Sequence, residues 1–254
     1  MHHFDLSGRV AVVTGGNGGI GLGMARGLAL AGAGIAVVGR NVEKNRSAVA
    51  ALQALGAQAM AIEADLLQEA ACRDCVERAA QHFGRLDILV NNAGVTVRKP
   101  PQDLSAQEWH HVIDSNLTSA FLCSQAAYLP MKEGGGGKII NIGSLMSAFG
   151  ASFAAAYGAS KGGIVQLTRS LASAWAADNI QVNAILPGWI RTELTDAARR
   201  EVPGLNERVL AGTPAGRWGE PADFEAFTLL LAGRGSQYIT GAAIFVDGGY
   251  SIQA

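Results

Sequence analysis

The chain has 254 residues, a formal net charge of −1 and 49% apolar residues. Its length suits one domain with a substantial core, and its near-neutral charge offers no electrostatic footprint for nucleic acid or an anionic membrane surface. Apolar runs break at Gly or charge well short of the ~20 residues of a membrane span, and Met1-His2-His3-Phe4 enters Asp5 without the basic and apolar regions of a signal peptide, so a cytoplasmic protein is expected.

Strand-like apolar runs alternate with helical patterns along the chain. Residues 9–13 lead into a glycine-rich turn and a helix over about 20–31. A run at 35–38 precedes a helix over about 42–55, and one at 59–62 precedes a helix over 69–83. The run at 86–90 is followed by a long helix from about 105 to 131. Then come 138–142, the helix carrying Tyr157 and Lys161, a run at 180–185 and a last run at 243–246. Near-continuous Val/Ile/Leu runs separated by helices indicate a parallel sheet covered on both faces. The expected fold class is α/β, a Rossmann-type doubly wound seven-stranded parallel sheet forming a single domain over residues 1–254.

No linker or fixed-period repeat divides the chain, and Gly134-Gly135-Gly136-Gly137 reads as a flexible turn before a strand. The stretch from Thr192 to Arg217 is polar and contains Pro203 and Pro214. It follows a sheet strand, beyond whose carboxyl end ligands bind in such folds, so residues 192–217 are expected to form a mobile substrate lid. Three cysteines argue against a disulfide framework. Cys72-Arg73-Asp74-Cys75 has C-x-x-C spacing, yet no second Cys pair or His cluster completes a metal site. The adjacent His110 and His111 point in different directions on a helix. No metal is expected.

Thr14-Gly15-Gly16-Asn17-Gly18-Gly19-Ile20-Gly21 lies between the first strand and the first helix. There a glycine-rich turn lets backbone approach a pyrophosphate at a helix N-terminus: Gly15 permits the turn, Gly19 the close approach, and Gly21 the helix packing. At the end of the second strand, NAD sites place an acid on the ribose 2′-OH, whereas an arginine accommodates the 2′-phosphate of NADP. The chain reads Val38-Gly39-Arg40-Asn41 there, with no acid before Glu43. Arg40 therefore favours NADP(H), and use of NAD(H) stays open.

Tyr157-Gly158-Ala159-Ser160-Lys161 sets a phenol and an ammonium one helical turn apart on one face. A free phenol titrates near ~10, and a nearby cation favours the phenolate, which suits the hydroxyl to general acid/base work.

Taken together, these marks resemble the short-chain dehydrogenase/reductase family along essentially the whole chain. They are Thr14-Gly15-x-x-x-Gly19-Ile20-Gly21, Asp65, Asn91-Asn92-Ala93-Gly94, Asn116, Ser144, Tyr157-x-x-x-Lys161 and Pro187-Gly188-x-Ile190-x-Thr192. The resemblance implies that Tyr157 is the general acid/base on the substrate oxygen and that Ser144 donates a hydrogen bond to it. It implies that Lys161 binds the nicotinamide ribose and lowers the Tyr157 pKa, and that Asn116 supports a proton-relay water. Asp65 and Leu66 would meet the adenine, and Asn92, Ala93 and Gly94 the adenosine ribose region. Asn17 would join the glycine loop on the cofactor, and Pro187, Gly188, Ile190 and Thr192 would flank the nicotinamide. Two departures stand out. Gly143 replaces a serine found in many relatives, and Gly18 replaces a basic residue of some NADP-dependent ones, which leaves Arg40 to recognise the phosphate largely alone.

Within the family, the stretches 114–121, 137–145 and 214–219 are similar to the gluconate 5-dehydrogenase and 2-deoxy-gluconate 3-dehydrogenase group, which interconverts hydroxyl and keto groups on sugar acids. Arg98, in Val97-Arg98-Lys99 near the expected pocket mouth, is a candidate for a sugar carboxylate; a surface basic pair explains it equally well. Arg191 is a weaker candidate. The alternatives are a 3-ketoacyl-type or general carbonyl reductase and, more remotely, a cofactor-binding regulatory protein without turnover. The resemblance further implies a homotetramer built on helices around 109–131 and 157–175.

Overall fold

The computed structural model describes residues 3–253, without the side chains of Leu194, Ala197 and Glu201; Met1, His2 and Ala254 lie outside the described residues. Seven strands form one parallel sheet: β1 (Val10–Thr14), β2 (Gly34–Gly39), β3 (Ala59–Glu63), β4 (Ile88–Asn91), β5 (Gly137–Ile142), β6 (Ile180–Pro187) and β7 (Ala243–Val246). Their spatial order is β3-β2-β1-β4-β5-β6-β7. The chain therefore winds outward in one direction from β1 to β3, then returns to the centre and winds the other way. The reversal falls between β1 and β4, where Val13 pairs with Val90 and Thr14 with Asn91. In open α/β sheets the crevice beyond such a switch point is where ligands bind.

The inner strands β1, β2, β4, β5 and β6 are mostly buried on both faces, the edge strands β3 and β7 only in part, and alternation along the strands divides the core. Ala11 and Val13 of β1, Ile35 and Val37 of β2, and Ile88 and Val90 of β4 face helices α1 (Gly19–Leu30), α2 (Val42–Gln53) and α9 (Glu225–Ala232). Val12, Ala36, Val38 and Leu89 face α3 (Glu69–Phe83), α5 (Ser119–Glu133) and α6 (Ala155–Trp175). Burying one such aliphatic side chain contributes about 1.5–3 kcal/mol, so both faces must be covered, and this gives the doubly wound arrangement. Cys72 and Cys75 of α3 lie in the second core layer with Cys123 of α5, as buried free thiols. They serve as packing residues. Among the described residues no helix is long and apolar enough to cross a membrane.

Three features differ from the sequence expectation. The helix expected over 105–131 is two helices, α4 (Ala106–Ile113) and α5, joined by a π-helical turn at Asp114–Thr118. A π turn inserts one extra residue per turn and is a recurrent device at functional sites, and here it carries Asn116. Helix α9 was not expected at all. The stretch 192–217 holds two helices, α7 (Glu193–Glu201) and α8 (Leu205–Gly212). These share a small apolar core of Ala198, Leu205, Val209 and Trp218, with Trp189 and Val202 against it. A parallel bridge between Ile190 and Gly219, with the Arg191 N–H donating to the Gly219 carbonyl at 2.9 Å, closes the base of this excursion.

Candidate active site

The carboxyl ends of β1 and β4 are laced together. Thr14 Oγ1 accepts hydrogen bonds from the backbone N–H groups of Asn92 (3.0 Å) and Ala93 (3.1 Å), and the Asn92 amide donates to the carbonyls of Thr14 and Gly15. The glycine turn is shaped by this lacing. Gly15 has φ +62°, and a Cβ there would stand 2.8 Å from Asn92 Nδ2; a Cβ at Gly21 would stand 2.3 Å from the Gly15 carbonyl oxygen. Only glycine fits either position. Helix α1 starts behind this turn with no side-chain cap and no acid in its first turn. Its orphan N–H groups and positive dipole end thus remain available to an anion.

Gly15, Asn17, Arg40, Asp65, Leu66, Asn92, Ala93 and Gly94 line one cavity of about 350 Å³ across this switch point. Asn17 Nδ2 donates to Asn45 Oδ1 at 2.6 Å, and Asn45 Nδ2 donates to the Gly39 carbonyl at 2.7 Å, so the loop is fastened to the end of β2. Arg40 is exposed at the rim and makes no ion pair among the described residues. Glu43, the first acid after β2, turns to Arg46 at 2.8 Å and does not line this cavity. Sequence reasoning missed one cation here: Lys44 also lines the cavity. It lies in the first turn of α2, just after Arg40 at the end of β2.

Beyond Gly94 lies the second group of expected site residues. A Cβ on Gly94 would stand 3.1 Å from Asn116 Oδ1 and 3.6 Å from Lys161 Nζ. The π turn presents the buried Asn116 side chain to the 92–95 loop: its Oδ1 accepts from the Val95 N–H at 2.7 Å, and its Nδ2 donates to the Val95 carbonyl (2.9 Å) and to Ser160 Oγ (3.0 Å). Asn116 thereby ties the switch-point loop to α6, which bears Tyr157 and Lys161. Lys161 is buried, donates to the Ile142 carbonyl at 2.7 Å, and sits 5.7 Å from the centre of the Tyr157 ring. An ammonium has three donors, so two remain for other acceptors. Burial pulls the Lys161 amine down to about 8.

Ser144 follows β5 in extended conformation and caps a short 3-10 turn, its Oγ accepting from the Met146 N–H at 3.1 Å. Beside it, Ser147 Oγ donates to the Lys161 carbonyl at 2.7 Å and accepts from the Ser144 N–H at 3.2 Å. A Cβ at Gly143 would stand 2.8 Å from this Ser147 oxygen, so Ser147 occupies the space a serine side chain at 143 would enter. Burial pushes the Tyr157 phenol upward, against the downward pull of the Ser144 hydroxyl and of the Arg98 guanidinium. Two cations thus stand near the phenol, Arg98 and Lys161.

Of the basic pair at 98–99, only one member is available to a ligand. Lys99 is ion-paired with Glu108, and its N–H donates to the Phe153 carbonyl at 3.0 Å. Arg98 is half-buried and makes no ion pair among the described residues. Arg191 is engaged with Glu220 at 3.3 Å. On the far side of the glycine turn, Gly188 follows Pro187 at the end of β6 and donates to the Val246 carbonyl, and Ile190 is buried in the bridge to Gly219. Thr192 caps α7, and its Cγ2 lies 3.1 Å from where a Cβ on Gly19 would stand. The structure therefore brings the glycine turn, Asn116, Ser144, Tyr157, Lys161 and Arg98 to the carboxyl edge of one sheet.

A family profile described as enoyl-(acyl carrier protein) reductase matches residues 15–251. The chain belongs to the short-chain dehydrogenase/reductase family. It is an oxidoreductase of the type that interconverts CH–OH and C=O groups with a nicotinamide cofactor. Among relatives in this family, the 2-dehydro-3-deoxy-D-gluconate 5-dehydrogenase of Escherichia coli (strain K12) is 42% identical over 248 residues, covering 97% of each chain. The gluconate 5-dehydrogenase of Gluconobacter oxydans (strain 621H) is 35% identical over 98% of this chain and 97% of that one. The crystal structure of a gluconate 5-dehydrogenase from Burkholderia cenocepacia J2315 in complex with NADP and tartrate superposes with a TM-score of 0.94, at 36% identity over 100% of this chain and 99% of that one.

Proposed function

We propose that the chain reversibly interconverts a secondary alcohol and a ketone on a sugar acid of the gluconate/keto-gluconate type, using NADP(H) in preference to NAD(H). The observation that carries the substrate class is Arg98, a half-buried guanidinium with no acidic partner among the described residues, close enough to the Tyr157 phenol to lower its proton affinity. A guanidinium placed there matches a carboxylate in charge and in fork geometry. The relatives named for gluconate-type substrates support the same reading.

The cofactor fits the cradle. The uncapped α1 N-terminus, the Gly15–Gly21 turn and the Asn92–Gly94 loop would hold the pyrophosphate and adenosine ribose, with Asp65 and Leu66 at the adenine. Arg40 and Lys44 would meet the 2′-phosphate, and Pro187, Gly188, Ile190 and Thr192 would flank the nicotinamide. Bound there, the nicotinamide supplies or accepts the hydride. The chain's own residues do the rest. Tyr157 gives or takes the proton at the substrate oxygen, and Ser144 donates a hydrogen bond to that oxygen and fixes its position. Lys161 offers its two free donors to the ribose, and Asn116 keeps the switch-point loop and α6 in register. The 192–217 excursion acts as the substrate lid, a preformed two-helix body pivoting at Ile190 and Gly219. Exposed Trp109, Phe121 and Leu129 on α4 and α5 support self-association through these helices.

A panel of keto sugar acids, a 3-ketoacyl thioester and a neutral diketone, each assayed with NADPH and NADH, tests this reading. Fastest turnover is expected on a keto sugar acid with NADPH; preference for the thioester would move the chain to the 3-ketoacyl reductases. Arg98→Ala is expected to raise KM for an acidic sugar roughly ten- to hundredfold, the equivalent of losing a charge-assisted hydrogen bond of about 1.5–3 kcal/mol. An equal rise for a neutral ketone would remove the carboxylate role.

A further inference from the structure

Lys44 belongs to two sites at once. It lines the same cavity as Arg40, and its Nζ lies 2.5 Å from Oε2 of Glu193, the first residue of α7, 149 positions along the chain. The stem of Lys44 is held at the start of α2, where the Asn41 side chain caps the helix by accepting from the Lys44 N–H at 2.9 Å. The other charged side chain of that turn, Glu43, is occupied locally by Arg46. Among the described residues, Lys44 makes the ion pair that links the cofactor groove to the 192–217 excursion.

The Lys44–Glu193 pair is exposed, with side-chain accessibilities of 47% and 84%. Such a pair contributes little, because water screens it and two long side chains must be ordered to form it. A 2′-phosphate beside Arg40 carries close to two negative charges and stands at the N-terminus of α2, which already favours an anion. It is the stronger partner for one ammonium. Once Lys44 turns to it, Glu193 is left facing a phosphate of its own sign. An unphosphorylated ribose presents no such competitor.

We propose that Lys44 is a cofactor-selective exchange residue: it leaves Glu193 for the 2′-phosphate of NADP(H), stays with Glu193 when NAD(H) binds, and makes Glu193 an antagonist of the phosphorylated cofactor. The inference rests on the NADP(H) reading of the groove and adds to it a carboxylate of the lid helix that sets the strength of the preference. Arg40, which makes no ion pair among the described residues, provides the fixed part of phosphate recognition, and Lys44 the part shared with the lid.

The test is equilibrium titration of the full chain with NADP⁺ and with NAD⁺ at low ionic strength, for the wild type, Lys44→Met, Glu193→Gln and Arg40→Ala. The expected result is that Lys44→Met weakens NADP⁺ about tenfold and Glu193→Gln tightens it about threefold. NAD⁺ affinity should stay within about twofold in both, which also reports that the variants are folded. The Glu193→Gln gain should shrink in the Lys44→Met background, because there is then no ammonium to release. A Glu193→Gln variant that moves both cofactors equally, or that weakens NADP⁺, overturns the exchange, as does a Lys44→Met variant that leaves NADP⁺ unchanged. If Arg40→Ala lowers NADP⁺ affinity while Lys44→Met does not, the exchange alone fails. If neither alters the NADP⁺/NAD⁺ ratio, the 2′-phosphate reading fails with it.

Discussion

Tyr157→Phe is expected to lower kcat by roughly a thousandfold or more while leaving cofactor affinity within about a factor of three. A positioned general acid/base contributes about 10²–10⁴ in rate. The phenylalanine ring keeps the packing of α6 and the cation contact to Lys161 at 5.7 Å, so loss of rate without loss of cofactor binding separates chemistry from folding. Substantial retained turnover would falsify the acid/base role. The protonation sense gives a second readout. Burial raises the Tyr157 phenol, so at neutral pH it is the protonated form, the one ketone reduction needs. Alcohol oxidation needs the phenolate, and its rate is expected to climb as pH rises, while reduction falls over the same alkaline range. Arg98 pulls the phenol down; removing it should carry the oxidation limb to higher pH. A limb that stays in place in Arg98→Ala would show that the guanidinium does not act on the phenol.

Arg40→Asp should reverse the cofactor preference, lowering the NADP/NAD ratio of kcat/KM by roughly a hundred- to a thousandfold. One charge-assisted hydrogen bond is worth about 1.5–3 kcal/mol, and each ~1.4 kcal/mol is a factor of ten. The new carboxylate would also repel the phosphate and offer the ribose 2′-OH the acceptor that NAD sites use. Because Arg40 is exposed at the rim, screening reduces the effect, and the ratio should shift less at high salt. An unchanged ratio would place the phosphate elsewhere.

The seven strands along the chain and the doubly wound class were legible in the chain itself. Val/Ile runs such as Val10–Val13 and Ile35–Val38 are buried on both sides, so their periodicity announces a covered parallel sheet. Tyr157 and Lys161 share a helix face, and an added Cβ would stand 2.8 Å from the Asn92 side-chain amide at Gly15 and 2.3 Å from the Gly15 carbonyl at Gly21. The turn at Asp114–Thr118 was not legible. A single inserted residue leaves the apolar pattern of 105–131 nearly intact, and only the fold shows that it swings Asn116 into the 92–95 loop. The two helices inside 192–217 were hidden by their polarity, since their apolar positions close on one another around Trp218 and not on the main core.

Local sequence thus determined most of the elements, the glycine turn between β1 and α1 and the placing of Tyr157 and Lys161 on one helix face, because each depends on backbone geometry and on side chains within one or two helical turns. Tertiary structure decided which charges are available. Lys99 is consumed by Glu108 and Arg191 by Glu220, leaving Arg98 beside the phenol, and Lys44 is divided between the cofactor groove and Glu193. Such choices depend on which groups the fold brings within a few ångströms across long stretches of chain, a distance that spacing along the sequence does not encode.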